Sequence, residues 1–156
     1  MHQRLIFMLL YALSGAAQAA PPNFAIDEQL QKNARVWAEE FIEFAAEKYQ
    51  VTLDWSLVSI KYLDEIGDDL HRTYVKETPP EEEIVPVARA LGSYVAEVYR
   101  IHNGGSWGWV DLETGSFPAL QSRHGATFLP LAKALDRIKT GDDPDIWEYY
   151  QLLHKP

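Results

Sequence analysis

Cysteine is absent from this 156-residue chain. Without cysteine the chain can form no disulfide, and it cannot carry a lipid anchor on an N-terminal cysteine. Small exported domains often need disulfides because their cores are small, whereas a chain of this length buries roughly two-thirds of its unfolded surface. We therefore expect one core that is stable without cross-links.

A long hydrophobic run is also absent. The apolar segment Leu5–Leu13 is much shorter than the roughly 20 residues of a membrane-spanning helix. It follows the positive residue Arg4 and precedes Ala17-Gln18-Ala19, a small-x-small pattern that signal peptidase cleaves. Residues 1–19 are therefore predicted to be a signal peptide cut after Ala19, which implies a periplasmic or secreted protein without a membrane anchor.

Basic residues are few. The chain has 14 Lys and Arg against 23 Asp and Glu, for a formal charge of −9, and removing residues 1–19 takes away Arg4 and no acid. Such a field repels nucleic acid and anionic lipid, and it attracts basic proteins. Solubility alone also explains this charge. A solvated acidic surface and a basic protein partner therefore both stay open, and no nucleic-acid partner is predicted.

Helical periodicity dominates residues 27–103, within a single predicted domain over residues 20–156. Apolar residues at spacings of three and four predict one helix from Asp27 to about Tyr49 and a second from Asp54 or Ser56 to Tyr74, with Asp54 as N-cap. The clearest stripe begins at Ile84 and ends at Asn103-Gly104-Gly105, because glycine readily adopts the conformation that terminates helices. This third helix is predicted to be the central core helix.

The pattern changes after Gly105. Ser106–Leu112 and Ser116–Ser122 are strand-like and are separated by a turn at residues 113–115, which predicts an antiparallel hairpin. Residues 127–139 begin extended and become helical, and a last helix follows residue 143. The predicted fold is therefore α+β: three N-terminal helices, a small antiparallel sheet of two or three strands, and two short C-terminal helices.

Motifs for catalysis or metal binding are weak. Gly104–Gly108 matches the G-x-S-x-G nucleophile pattern, but that pattern works where a strand leads into a helix, and here a helix leads into a strand. The four histidines of the predicted domain show no ligand spacing: His71, His102, His124 and His154. No metal site, no cofactor and no established catalytic residue is therefore predicted.

Three aspartates near the C-terminus, Asp142, Asp143 and Asp145, could suggest a cation site. A calcium loop needs more oxygen ligands and a glutamate at a fixed offset, which are missing. Helix capping explains the pattern instead: Asp143 as N-cap, Pro144 in the first turn and Asp145 near the positive end of the helix dipole.

Two features point to a binding surface. Glu97 lies on the third helix away from its apolar stripe, yet its neighbours on that side are small or apolar, so a second layer of structure would cover it. Trp107, Trp109 and Asp111 alternate along one strand and therefore share a face. Either both indoles lie in the core, or at least one lies on an exposed patch that anchors a protein or glycan. The predicted binding residues are Glu97, Trp107, Trp109 and Asp111.

Three motifs stand out along residues 51–153. They read Leu53-Asp54-Trp55-Ser56 with Leu63-Asp64; Gly92-Ser93-Tyr94-Val95-Ala96-Glu97-Val98 with Gly104-Gly105-Ser106-Trp107; and Pro130, Lys133, Arg137, Gly141, Asp145, Tyr149 and Tyr150. In these motifs the chain resembles a widespread group of small bacterial domains of unknown function, except that Ala96 stands where many members have glycine. The resemblance implies a fold and no catalytic residues, and some members look like immunity proteins.

The sequence favours an exported, non-catalytic binding protein, in particular an immunity-type inhibitor of a basic toxin or envelope enzyme. The alternative is an envelope-polymer hydrolase with Glu97 as general acid or base, Asp111 as second carboxylate and the tryptophans as a glycan platform. A third hypothesis is an accessory protein of envelope assembly.

Overall fold

A computed structural model describes residues 23–141 and 145–154 of the chain. The predicted signal peptide and residues 142–144 lie outside these ranges. In chain order the elements are β1 (Asn23–Ile26), α1 (Glu28–Tyr49), α2 (Leu57–Glu77), α3 (Glu81–Asn103), β2 (Ser106–Leu112), β3 (Gly115–Gln121), β4 (Thr127–Phe128), α4 (Pro130–Thr140) and α5 (Ile146–Leu152). The prediction of an α+β fold is confirmed.

Helix α3 is the centre of the domain, as its sequence predicts. Every residue from Ala90 to Tyr99 is buried, so the helix is covered on all sides along this stretch. It packs against α1 and α4, and α2 packs against α4 and α5. At Gly92 the backbone of α4 comes so close that an added Cβ would lie 2.5 Å from the carbonyl oxygen of Pro130. In the part of the chain that the structure describes, no helix has both the length and the apolar character needed to cross a membrane.

The sheet is antiparallel, with the strand order β1-β2-β3-β4. The β2–β3 hairpin confirms the predicted hairpin. The sheet has four strands in place of the predicted two or three, because the sequence pattern did not reveal β1. This strand has only four residues, and its partner β2 lies more than 80 residues later in the chain. No short turn links the two strands, so the local sequence gives no sign that they pair. Gly108 allows the close approach, since a Cβ there would lie 2.1 Å from the carbonyl oxygen of Ala25.

Of the two starts that the sequence left open for α2, the structure has the later one, and the prediction of Asp54 as N-cap is wrong. Ser56 is the N-cap, because its Oγ accepts a hydrogen bond from the backbone N–H of Ser59 at 3.2 Å. Asp54 instead accepts from the N–H of Ser56 at 3.1 Å and orients the approach to the helix. The helix also continues to Glu77, three residues beyond the predicted end.

Two aspartates from different parts of the chain hold the start of α5. Asp145 is the N-cap and accepts from the N–H of Glu148 at 2.7 Å, whereas the sequence pattern predicts Asp143 in this role. Asp64 of α2 accepts from the N–H groups of Ile146 and Trp147 at 2.8 and 3.1 Å. Tertiary contact thus supplies a second cap that the local sequence does not reveal.

Candidate functional site

Glu97 is a buried carboxylate on α3, with none of its surface exposed to solvent. Arg100, one turn further along, donates to both carboxylate oxygens, from Nε to Oε1 at 2.8 Å and from Nη2 to Oε2 at 2.9 Å. Trp107 of β2 donates its indole N–H to Oε1 at 2.8 Å. The second layer expected over Glu97 is thus present, and the carboxylate is paired inside it.

Arg35 connects this buried group with the surface. Its Nη1 lies 4.0 Å from Oε2 of Glu97, and its Nε donates to Glu39 at 2.9 Å. The guanidinium also lies 3.9 Å from the centroid of the Trp55 ring, a cation–π arrangement. The loop that carries Trp55 is fixed further by the hydroxyl of Tyr94, which accepts from the N–H of Trp55 at 3.1 Å. Glu97 therefore connects α1, α3 and β2, and Arg35 and Tyr94 extend these contacts to the loop before α2.

This geometry gives no support to the hydrolase hypothesis. A general acid or base must reach the substrate, whereas Glu97 is fully buried with both oxygens bonded to neighbours. Asp111, the expected second carboxylate, lies four positions beyond Trp107 on the same strand, about 13 Å away along it. Among the described residues, no three His, Asp or Glu side chains are grouped to hold a metal ion.

One side of the sheet is exposed to solvent around Trp109. The strand registers place six side chains together on this side, here called the Trp109 face: Asn23, Ala25, Trp109, Asp111, Ser116 and Pro118. All are exposed except Pro118, which is half-buried, and Trp109 itself is 38% exposed. Trp107 and Leu120 lie on the same side of the sheet and are buried.

Asp27 fixes the exposed indole. Its Oδ2 accepts the indole N–H of Trp109 at 2.9 Å, while Oδ1 caps α1 by accepting from the N–H groups of Gln29 and Leu30 at 2.8 and 2.9 Å. Along the same face, Asn23 donates its amide to Oδ2 of Asp111 at 3.3 Å. The Trp109 ring is thus held in one orientation beside the carboxylate of Asp27, which lowers the entropy that a contact with this ring would cost.

The hydrogen bonds to Asp27 predict a pH effect. The N–H of Leu30, followed by the indole of Trp109, holds the pKa of Asp27 below its usual value of 3.8. Because the pKa is lower in the folded state, this carboxylate stabilises the fold above pH 3.8 and loses that effect as the pH falls through its folded pKa. In NMR spectra the indole N–H resonance of Trp109 should therefore shift with a midpoint below pH 3.8.

The same titration of Asp27→Asn is the control, since its Trp109 resonance should not move in that range. A wild-type midpoint at or above pH 3.8 would contradict the assignment of Asp27 as the partner of this indole.

The sequence left open whether both indoles lie in the core, and the exposure of Trp109 shows that they do not. Trp107 is fully buried and Trp109 is partly exposed, although both side chains lie on the same side of the strand. The sequence patterns did not reveal the partners Arg35, Arg100 and Asn23, and they marked Asp27 only as the start of a helix. The spacing of Glu97 and Arg100, three apart on one helix, was a usable signal for their ion pair.

No protein-family model matches the sequence, and no curated protein or solved structure matches it either. The resemblance to small bacterial domains of unknown function therefore stays a prediction.

Proposed function

We propose that this protein is an exported, non-catalytic binding protein that recognises a basic partner protein through the Trp109 face. Inhibition of a basic toxin or envelope enzyme, in the manner of an immunity protein, is the form of this function that charge and the predicted signal peptide favour. The observation that carries the proposal is an exposed tryptophan, fixed by a hydrogen bond to Asp27, in a group of three strands, β1, β2 and β3, that contain no basic residue.

The charge distribution around the Trp109 face supports a basic partner. Residues 23–31 and 106–122 form β1, the start of α1 and the β2–β3 hairpin, and they contain no Lys, Arg or His. They contain four acidic residues: Asp27, Glu28, Asp111 and Glu113. An acidic surface around an aromatic ring attracts Lys and Arg side chains by Coulomb attraction and by cation–π contact.

Trp109 has the features of an interface anchor. It combines a large apolar ring with one hydrogen-bonding group, and Asp27 already satisfies that group. The ring therefore brings contact area without an unpaired donor, and its flanking neighbours Ala25 and Pro118 carry no charge. Tryptophans in such surroundings are frequent binding hot spots in protein interfaces.

A pull-down from envelope extract tests the proposal, with the mature protein from residue 20 onward as bait. We expect one stoichiometric basic partner whose capture weakens between low and moderate salt, because screening reduces attraction between exposed charges. Against this partner, Trp109→Ala should raise the Kd about tenfold or more, and Asp111→Asn about threefold. Isothermal titration calorimetry measures both changes.

Matched controls come from α2. Tyr62 is an aromatic residue with 46% of its surface exposed, and Glu65 is an exposed acid, so Tyr62→Ala and Glu65→Gln remove the same kinds of group outside the Trp109 face. Both should leave the Kd unchanged. If no basic protein is captured at either salt concentration, or if the control variants weaken binding as much as Trp109→Ala does, the proposal fails.

A further inference from the structure

Strand β1 leaves one edge of the sheet open. It stands at the end of the strand order, and among the described residues only β2 pairs with it. The backbone N–H of Asp27 donates to the carbonyl of Trp107 at 3.0 Å, which fixes the phase of the antiparallel ladder. In such a ladder, residues whose backbone N–H and C=O groups face the neighbouring strand alternate with residues whose groups face away from it. Asn23 and Ala25 therefore form the backbone hydrogen bonds to β2. The N–H and C=O groups of Phe24 and Ile26 therefore point outward.

The open edge lies next to Trp109. Ala25 is the direct cross-strand neighbour of Trp109. The methyl group of Ala25 is therefore the only side chain directly between the indole ring and the open edge. Neighbouring strands are about 4.8 Å apart, so a strand added outside β1 would run about 10 Å from β2. The extended side chain of a lysine or arginine on that strand can cross Ala25 and reach the indole ring and Asp111.

The opposite side of β1 has a different character. Ile26 is 66% exposed there, beside the half-buried Phe24, whose ring lies over Gly108. Side chains of an added strand alternate between the two sides. One side would therefore meet Trp109 and Asp111, and the other would meet Ile26. This requires a segment in which basic and apolar residues alternate.

We propose that β1 is a docking edge, to which an extended segment of the basic partner adds as a fifth strand with its Lys or Arg side chains over Trp109. The inference rests on the proposed function and specifies how the partner binds. Main-chain hydrogen bonds to Phe24 and Ile26 hold the segment, and the Trp109 face selects its charge.

Hydrogen exchange measured by NMR tests this docking mode on the mature protein. The probe is a capped seven-residue peptide of alternating lysine and valine. In the free protein, the amides of Phe24 and Ile26 should exchange quickly, while the amide of Asp27, which bonds to Trp107, should exchange slowly. Saturating peptide should slow the exchange of Phe24 and Ile26 about tenfold or more, because their N–H groups then bond to the added strand.

Two changes to the backbone serve as controls. Methylating alternate peptide nitrogens removes the donors that pair with β1 and should weaken binding about tenfold, with charge and side chains unchanged. Ile26→Pro removes an outward N–H and should weaken binding similarly, with circular dichroism checking that the variant folds. The exchange data on the wild-type protein decide the question even if this variant does not fold.

The outcomes separate this inference from the proposed function. If the peptide binds and Trp109→Ala weakens it, but Phe24 and Ile26 still exchange quickly, then strand addition is refuted and a basic partner on the Trp109 face stands. If the peptide does not bind at millimolar concentration, strand addition is also refuted. The proposed function is then tested separately by the pull-down. Binding of a soluble peptidoglycan fragment to Trp109 in place of the peptide overturns both.

Discussion

Replacing Glu97 with glutamine is expected to lower the free energy of unfolding by about 3 kcal/mol. Removing one partner of a buried ion pair typically costs 3–5 kcal/mol, because the remaining charge loses its compensation. The lower end applies here, since the Arg100 side chain is 27% exposed and part of its charge can be hydrated. The indole N–H of Trp107 also loses a charged acceptor. Urea unfolding followed by circular dichroism measures the effect.

Glu39→Gln is the matched control, because Glu39 binds the same Arg35 at the surface, where its side chain is 54% exposed. It should change stability by less than about 0.5 kcal/mol. A second comparison combines Glu97→Gln with Trp107→Phe; their effects should be clearly non-additive because the two side chains share a hydrogen bond. A Glu97→Gln protein as stable as the wild type would show that this carboxylate does not hold the core together.

Gly92→Ala should destabilise the domain by about 2–3 kcal/mol. The added methyl group would lie 2.5 Å from the carbonyl oxygen of Pro130 and 2.8 Å from Cα of Leu131, so α3 and α4 would have to move apart. Overpacking of this kind costs about 1–3 kcal/mol, and the contact is with backbone, which cannot turn away as a side chain does. Thermal unfolding measures the loss.

Gly67→Ala tests the same substitution in another helix with the opposite expected sign. At Gly67 the nearest atom to an added Cβ is Cδ1 of Ile146 at 3.4 Å, an ordinary contact with a mobile side-chain end. Alanine has a higher helix propensity than glycine, so this variant should be as stable as the wild type or up to about 1 kcal/mol more stable. Equal losses at Gly67 and Gly92 would contradict the close helix contact at Gly92.

The elements that the sequence predicts well are those specified by local pattern. The apolar stripe of α3 and the break at Asn103-Gly104-Gly105 gave the central helix and its end, since periodicity and glycine conformation act within a few residues. The alternation in Ser106–Leu112 likewise gave β2 and the shared face of its two tryptophans.

What the sequence could not give depends on contacts between distant residues. The backbone N–H of Ile146 at the start of α5 donates to Asp64, 82 residues earlier. The sequence near α5 gives no sign of this partner. The burial of Glu97 could be suspected from its small neighbours, but its charge pairing also depends on Trp107 and Arg35, which belong to other elements. Strand β1 was missed for the same reason, and with it the open edge beside Trp109.

The pairing of β1 with β2 constrains when the domain can finish folding. Asp27 and Trp109, which meet across this pair, are 82 residues apart, so a large loop must close before the contact forms. A chain synthesised only as far as the end of α3 has no strand for β1 to join. The proposed docking edge is therefore completed late, when β2 has emerged, and a partially made chain lacks it.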